Sequence, residues 1–353
     1  MATPATMKAL VYHGPGRLVV EERPTPAPGA DEVQIAVKSV SICGSDLGAY
    51  RHASDRFRPP LVLGHEFSGL VTGIGGKVRN VKVGDRVSVN PMLYCGECYH
   101  CLRGENNLCG HRRSLGTAIG GVQTDGAMRE YVTVRSGAVV PLRDELGYRD
   151  GAMLEPMAVC LACAKCGRVA DEENVLVVGA GPIGLLTVKF LKTMGVRNVM
   201  VSDVMNSRLA KALECGATHA LNPGDVDLAD AVAQLTGGVG ADRVIIAAGV
   251  GRSINDALAM VRSGGVVVLV ALMHENVEID PMHIVGRGVK FFGSYMFTGE
   301  MGECVDLLAE GKIGVDDLVT SHFALEDGKA AFDLLCRPGN DEIKVQLSLN
   351  ARL

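Results

Sequence analysis

Residues 175–184, Val-Leu-Val-Val-Gly-Ala-Gly-Pro-Ile-Gly, constrain this chain more than any other stretch. The continuous apolar run is what a strand buried on both faces looks like. Glycines follow at once in the spacing Gly179-x-Gly181-x-x-Gly184, and a helical apolar pattern, Ile183–Met194, comes next. A glycine loop between a buried strand and a helix is a dinucleotide-binding crossover. Gly179 permits the tight turn, Gly181 lets backbone approach a pyrophosphate, and Gly184 lets the helix pack closely on the strand. Pro182 and Ile183 complete the loop, and the helix N-terminus offers unpaired N–H groups to phosphates. Asp203 lies nineteen residues after Gly184, at the end of the next strand-like run. A carboxylate there accepts hydrogen bonds from the adenosine ribose and repels a 2′-phosphate, which favours NAD over NADP. Arg208, just beyond, could stack on adenine or help to hold a phosphate.

From Asn174 onward, apolar strands and helical segments alternate. Strands are expected at Val175–Gly179, Asn198–Ser202, Ala217–Leu221, Arg243–Ala247, Gly265–Val270 and Val289–Gly293. Helices are expected at Ile183–Met194, Asn206–Glu214, Leu228–Thr236 and Ser253–Val261. This is the pattern of an α/β doubly wound parallel sheet. The first 150 or so residues read differently. Short strand patterns such as Lys8–Tyr12, Leu18–Glu22, Glu32–Lys38, Gly69–Gly75, Asp85–Asn90 and Arg129–Val134 are punctuated by Gly and Pro, as in a compact, barrel-like β domain. A tail after about residue 292 carries two helical patterns, Met301–Glu310 and Leu325–Cys336, and a last strand, Ile343–Leu347. It is expected to return to the first domain.

With 353 residues the chain holds about two domains. A net charge of -5 gives no reason to expect nucleic acid or an anionic membrane as partner. No apolar run reaches the ~18 residues of a membrane span, and no secretion signal is visible. The eleven cysteines cluster, which fits metal ligation and free thiols in a reducing cytoplasm better than a disulfide scaffold.

Two groups of metal-ligand residues stand out. His65 and Glu66 lie side by side between Gly64 and Gly69; Cys43 precedes them in Cys43-Gly-Ser45-Asp46, and Glu155 follows in Leu154-Glu155-Pro156. The second group, Cys95, Cys98, Cys101 and Cys109, spaces four thiols at intervals of 3, 3 and 8 within residues 92–112. Four thiolates in one short loop close a tetrahedral site with no open position, the signature of a structural zinc; disulfides or an iron–sulfur cluster are the rival uses of such a set. Cys160, Cys163 and Cys166 also step by three, but on a helical pattern with no fourth ligand, and read as core or interface residues.

In this order and at these separations, the motifs resemble those of the zinc-dependent medium-chain alcohol dehydrogenases, along essentially the whole chain. Glu155-Pro156 in place of a cysteine is similar to the branch of sorbitol, 2,3-butanediol and threonine dehydrogenases. The resemblance implies a GroES-like barrel catalytic domain over 1–154 and 292–353 and an NAD-binding Rossmann domain over 155–291. It further implies hydride transfer between NAD and a secondary alcohol, diol or polyol, with two zinc ions per chain, one catalytic and one structural, in a homodimer or homotetramer. Cys43 and His65 would then be zinc ligands, with Glu66 and Glu155 the two carboxylates that share the remaining position. Ser45 would take the substrate proton, and Asp46 would orient His65. Gly48 stands where the family often has a relay histidine, leaving Tyr50 or His52 to substitute through water. Met296 and Phe297, with Tyr50, would line the substrate pocket, and the absence of an arginine there points to a less polar alcohol. Threonine oxidation and a catalytically silent zinc- and NAD-binding sensor are the alternatives.

Overall fold

A computed structural model describes residues 3–273 and 275–349. The outer ends of the expected first domain, 1–2 and 350–353, lie outside the described residues. Chain contacts divide the protein into one unit that runs to Glu155 and resumes at Met301, and a second unit, Pro156–Glu300.

The second unit is built on six parallel strands. Their spatial order is His219–Leu221, Asn198–Ser202, Asn174–Val178, Ala241–Ile246, Val261–Leu269 and Lys290–Gly293. The order reverses on either side of Asn174–Val178, so the glycine loop leaves the sheet at its topological switch point. Val175, Leu176 and Val177 are fully buried, as their unbroken apolar run requires. The helices Pro182–Thr193, Asn206–Glu214, Leu228–Leu235 and Arg252–Met260 fall within a residue of the sequence pattern. One strand differs. Val261–Leu269 starts four residues before the expected Gly265, and its register against Ala241–Ile246 shifts across the stretch that holds Gly264 and Gly265. Glycines that read as a strand boundary lie instead inside a bulge, with Gly264 at φ +71.

The first unit has a larger sheet, ordered Val139–Pro141, Arg86–Val89, Glu66–Ile74, Glu32–Ser41, Lys344–Ser348 and Val319–Ala324, with Tyr131–Arg135 also paired to Glu32–Ser41. A three-stranded sheet of Leu18–Pro24, Thr6–Tyr12 and Leu61–Val62 accompanies it, and Met92–Leu93 pairs with Arg113–Ser114. The core is aliphatic, around Val33, Ile35, Val37, Val71, Val87 and Val132. The tail strand Lys344–Ser348 runs antiparallel to Glu32–Ser41, so the chain's last strand lies beside one of its first. Two of the differences from the sequence pattern bear on the site and its sheet. Glu66–Ile74 begins at Glu66 and not at Gly69, because Glu66, Phe67 and Ser68 pair with Ser41, Val40 and Ser39. Val319–Ala324 was not foreseen; its Val-Thr-Ser-His-Phe-Ala sequence has no strong apolar alternation, and the strand exists through parallel pairing with Lys344–Ser348.

Among the described residues no helix is long and apolar enough to cross a membrane.

A Cβ on Gly184 would overlap the carbonyl oxygen of Gly179. Gly184→Ala is therefore expected to cost about 1–3 kcal/mol of stability by overpacking and to weaken dinucleotide binding. Urea unfolding and NADH fluorescence titration check this; unchanged values in both would contradict the close packing.

Candidate metal centres and dinucleotide loop

The helix Gly44–Arg51 begins at Cys43, its N-cap. The backbone N–H of Cys43 donates to Asp46 Oδ2 at 3.0 Å, and the Cys43 side chain faces the N–H of Asp46 in return. This reciprocal cap fixes the thiol at the mouth of the helix. Gly64, at φ +94, turns the chain into His65 and the strand Glu66–Ile74. A Cβ there would press on Met128 and Val40, so only glycine fits the turn. Helix and strand together bring Cys43, His65 and Glu66 into one cluster whose ligand atoms all lie within 4.8 Å of one another. Glu155, at the start of the helix Leu154–Cys166, stands outside that set.

The electrostatics of the cluster call for a cation. Asp46, Glu66 and Glu155 are 0%, 1% and 4% exposed. Lys344 is the buried ammonium that answers them: its Nζ donates to Glu66 Oε2 at 2.7 Å and Oε1 at 3.0 Å. Burial pushes Glu155 up to about 7, with Glu66 adding to the rise and His65 opposing it. Burial likewise raises Asp46 against the pull of His65. For His65 burial works downward, but Cys43 and Asp46 override it and the net shift is well upward. Lys344 shows the same contest, with Glu66 overriding burial. His65 Nδ1 and Asp46 Oδ1 are buried without a hydrogen-bond partner and lie 3.8 Å apart. Three buried carboxylates, an imidazole and a thiol gathered beside one ammonium form a donor set that a divalent cation would satisfy. The mixed S, N and O donors suit zinc.

The second cysteine group forms a separate lobe. Sulfur–sulfur distances are 3.6 Å for Cys98–Cys101 and Cys95–Cys109, 3.8 Å for Cys98–Cys109 and 3.9 Å for Cys95–Cys101. A tetrahedron with metal–sulfur bonds of about 2.3 Å has edges of about 3.8 Å. Disulfide bonds, at about 2 Å, are excluded by these distances. Backbone N–H groups point at the sulfurs: Cys95 and His111 donate to Cys109 Sγ at 3.4 and 3.3 Å. The N–H groups of Cys101 and Gly110 lower the Cys98 thiol to about 6, while burial raises Cys101 to about 12. The loop is thus shaped for thiolates.

At the glycine loop, Gly179 takes φ +101 and Gly181 caps the helix Pro182–Thr193. A Cβ on Gly181 would meet nothing within 4 Å, so the space over the helix N-terminus is open. Asp203 Oδ2 accepts from Ala180 N at 2.7 Å and Oδ1 from Met205 N at 2.9 Å. The carboxylate stands against the loop with lone pairs to spare. Arg208 is half-buried on Asn206–Glu214, while Ile183 turns its carbonyl to Cys160 Sγ and Thr187 Oγ1. This cradle fits a dinucleotide.

Other expected residues lie as follows. Ser45 is half-buried, two residues after Cys43, and Gly48 is exposed with open space around it. Tyr50 departs from its expected place in the substrate pocket. It is 6% exposed in the core, packs edge-on against Phe332 at 5.2 Å and donates to Asp333 Oδ1 at 2.6 Å. The phenol is committed to the tail helix. His52 is exposed. Met296 holds a left-handed backbone at φ +54, and Phe297 is 3% exposed. Cys160 and Cys163 are buried and Cys166 half-buried on their helix. Lys344 went unrecognised in the sequence. In Ile343-Lys-Val-Gln-Leu its alternation looks like a solvent face, yet Lys344 and Gln346 are buried, and only the tertiary pairing reveals their partners.

Family models match two stretches: the alcohol dehydrogenase GroES-like domain over residues 29–144, and the zinc-binding dehydrogenase domain over residues 182–310. A sorbitol dehydrogenase of Bacillus subtilis is 32% identical over 98% of both chains. A D-arabitol-phosphate dehydrogenase of Enterococcus avium is 34% identical, also over 98% of both. Among solved structures, an alcohol dehydrogenase of Escherichia coli CFT073 complexed with NADH superposes with a TM-score of 0.90, at 31% identity, over 98% of this chain and 100% of that one. A zinc-binding dehydrogenase of Sinorhizobium meliloti bound to NADP gives 0.90 at 30% identity, with the same coverage.

Removing Lys344 would strand Glu66 as a buried anion. Lys344→Met is expected to destabilise the chain by about 3–5 kcal/mol, and Glu66→Met with Lys344→Met to recover most of the loss. Urea denaturation of the three variants decides; equal stability of Lys344→Met and the parent would remove the ion pair from the account.

Proposed function

Because this chain belongs to the zinc-binding dehydrogenase family with an alcohol dehydrogenase GroES-like domain, we propose that it is a zinc-dependent oxidoreductase that moves a hydride between NAD and a secondary alcohol, diol or polyol. The observation that carries the reading is the Cys43–His65–Glu66 cluster, a mixed sulfur, nitrogen and oxygen donor set with unpartnered His65 Nδ1 beside it. The curated relatives named above, which act on sorbitol and arabitol phosphate by name, support the polyol class. Asp203 against the glycine loop supports NAD over NADP, although the relative from Sinorhizobium carries NADP.

Cys43 and His65 would hold the catalytic zinc, with Glu66 or Glu155 contributing the carboxylate. When bound, zinc supplies a Lewis acid that makes an alcohol easier to ionise, and NAD supplies the hydride acceptor. The protein's own groups do the rest. Ser45 takes the alcohol proton and passes it outward; with open space at Gly48 and Tyr50 bonded to Asp333, water next to Ser45 is its way out. Asp46, whose Oδ1 lies 3.8 Å from His65 Nδ1, would orient His65, and Lys344 holds Glu66. Gly179, Gly181, Pro182, Ile183 and Gly184 would hold the pyrophosphate, Asp203 would accept from the ribose hydroxyls, and Arg208 would stand on the adenosine side. The four-cysteine lobe would hold a structural zinc.

The protein is further read as a homo-oligomer, with a dimer formed through Lys290–Gly293. That strand is the edge of the six-stranded sheet, three of its four residues are exposed, and Phe292 is among them. An unpaired edge with an aromatic side chain invites a second copy, and self-pairing closes the assembly. Light scattering of a Phe292→Lys variant tests this, since a dimer through this edge should become monomeric. Its clustered free thiols support the reading of a reducing, cytoplasmic location; disulfides found in protein trapped by rapid alkylation in cells would argue otherwise.

Elemental analysis should give two zinc per chain. Cys43→Ala should lose one zinc and nearly all turnover while NADH still binds. Cys98→Ser should lose the other and melt several degrees lower, with the residual folded protein active. Normal alcohol oxidation by Cys43→Ala would refute the catalytic assignment. A panel of diols, polyols and threonine, followed by NADH absorbance, fixes the substrate class. Two zinc and no turnover on any of them would favour a sensor.

A further inference from the structure

The helix Gly44–Arg51 carries the groups the reaction depends on, yet little in its sequence makes it a helix. It has eight residues, Gly-Ser-Asp-Leu-Gly-Ala-Tyr-Arg, two of them glycines. Isolated helices shorter than about 12 residues are marginal in water, and each glycine weakens one further. Its position must be imposed from outside.

Just ahead of Cys43, Ile42 N donates to Val345 O at 2.9 Å, and further anchors lie at the other end of the helix. Tyr12 Oη donates to Ala49 O at 2.9 Å, and Gly16 N donates to Tyr50 O at 2.8 Å. Tyr50 Oη also reaches Gly16 O at 3.3 Å, and the remaining anchors come from the tail helix Gly328–Cys336. Tyr50 Oη donates to Asp333 Oδ1 at 2.6 Å, the Tyr50 ring meets Phe332 edge-on, and Arg51 donates to Leu335 O at 3.2 Å. Asp333 is itself held, because Lys329 Nζ donates to its other oxygen at 2.7 Å, one helical turn away. The chain from Cys43 to Tyr50 is about 10 Å of helix. A tilt of about 5° over that length displaces one end against the other by about 1 Å, a shift on the scale that costs a reaction about a hundredfold.

We propose that Tyr50 and Asp333 are positioning residues for the Cys43–His65–Glu66 site, a latch by which the tail helix sets the placement of Cys43 and Ser45. The latch rests on the zinc-dependent reading for what it positions, but not for its own existence. Tyr50→Phe removes only the hydroxyl and keeps the ring against Phe332, so the fold should survive. Asp333→Asn keeps an acceptor for Tyr50 and should behave nearly as the parent, whereas Asp333→Leu should match Tyr50→Phe. The losses in the double variant should add to less than the sum of the two single ones, because the Tyr50–Asp333 bond is common to both, while the Lys329–Asp333 and Tyr50–Gly16 contacts are not.

Three measurements on the full chain test this. Release of zinc to a chelator should quicken about tenfold from one of the two sites in Tyr50→Phe, with the other unchanged. The kcat should fall about tenfold with the KM for NAD unmoved. Amide hydrogen exchange should quicken across residues 44–51 and nowhere else in the first unit. Unchanged exchange in that helix, or equal loss from both zinc sites, overturns the latch. The parent's own zinc content and turnover report separately on the enzymatic reading. If those fail, hydrogen exchange alone still decides the latch.

Discussion

The ion pair between Lys344 and Glu66 is the contact on which the rest of the structure turns. Both groups are almost fully buried, at 3% and 2% side-chain exposure. A buried carboxylate tolerates burial only with a partner, and here the partner comes from the last strand of the chain. That requirement makes the tail part of the catalytic unit. Strand Lys344–Ser348 pairs with Glu32–Ser41, which in turn pairs with Glu66–Ile74. The backbone register and the side-chain charge pair therefore enforce each other. A slip of one residue would turn Lys344 away from Glu66 and expose Val345 and Leu347 to the polar side of the sheet.

Around that pair the chain separates two uses of buried charge. At Cys43–His65–Glu66 the donors are mixed, one ring nitrogen is unsatisfied and carboxylates stand in reserve, so the site tolerates change in what it holds. In the cysteine lobe every donor is the same and the amide N–H groups are already aimed at the sulfurs. One arrangement suits chemistry and the other suits rigidity.

Much of this was legible in the sequence because it rests on local rules. The central strand and glycine loop announce themselves through an apolar run and three spaced glycines. The cysteine lobe does so through spacing alone, and Cys43, His65 and Glu66 through their neighbours. What escaped depends on pairing between distant segments. Lys344 looks like a solvent-facing strand residue until Glu66 is placed beside it. Tyr50, named for its place next to Gly48 where the resemblance expects a relay histidine, is held by its helix in the core and bonded to Asp333. Val319–Ala324 has no signal of its own and becomes a strand by borrowing an edge. Gly264 and Gly265 read as punctuation, whereas a bulge absorbs them.

The return of the tail also bears on how the protein is made. Glu66 and its partner are 278 residues apart, and the ribosome delivers the second long after the first. Pro156–Glu300 has its own sheet and core between them, so it can collapse while still tethered. The first unit cannot: two strands of its larger sheet and the countercharge of its metal cluster are still unsynthesised. During that interval Glu66 has no ammonium to meet, and the nascent segment that contains it must stay in water. Closure of the Cys43–His65–Glu66 cluster therefore waits until Lys344 has been made and can reach Glu66.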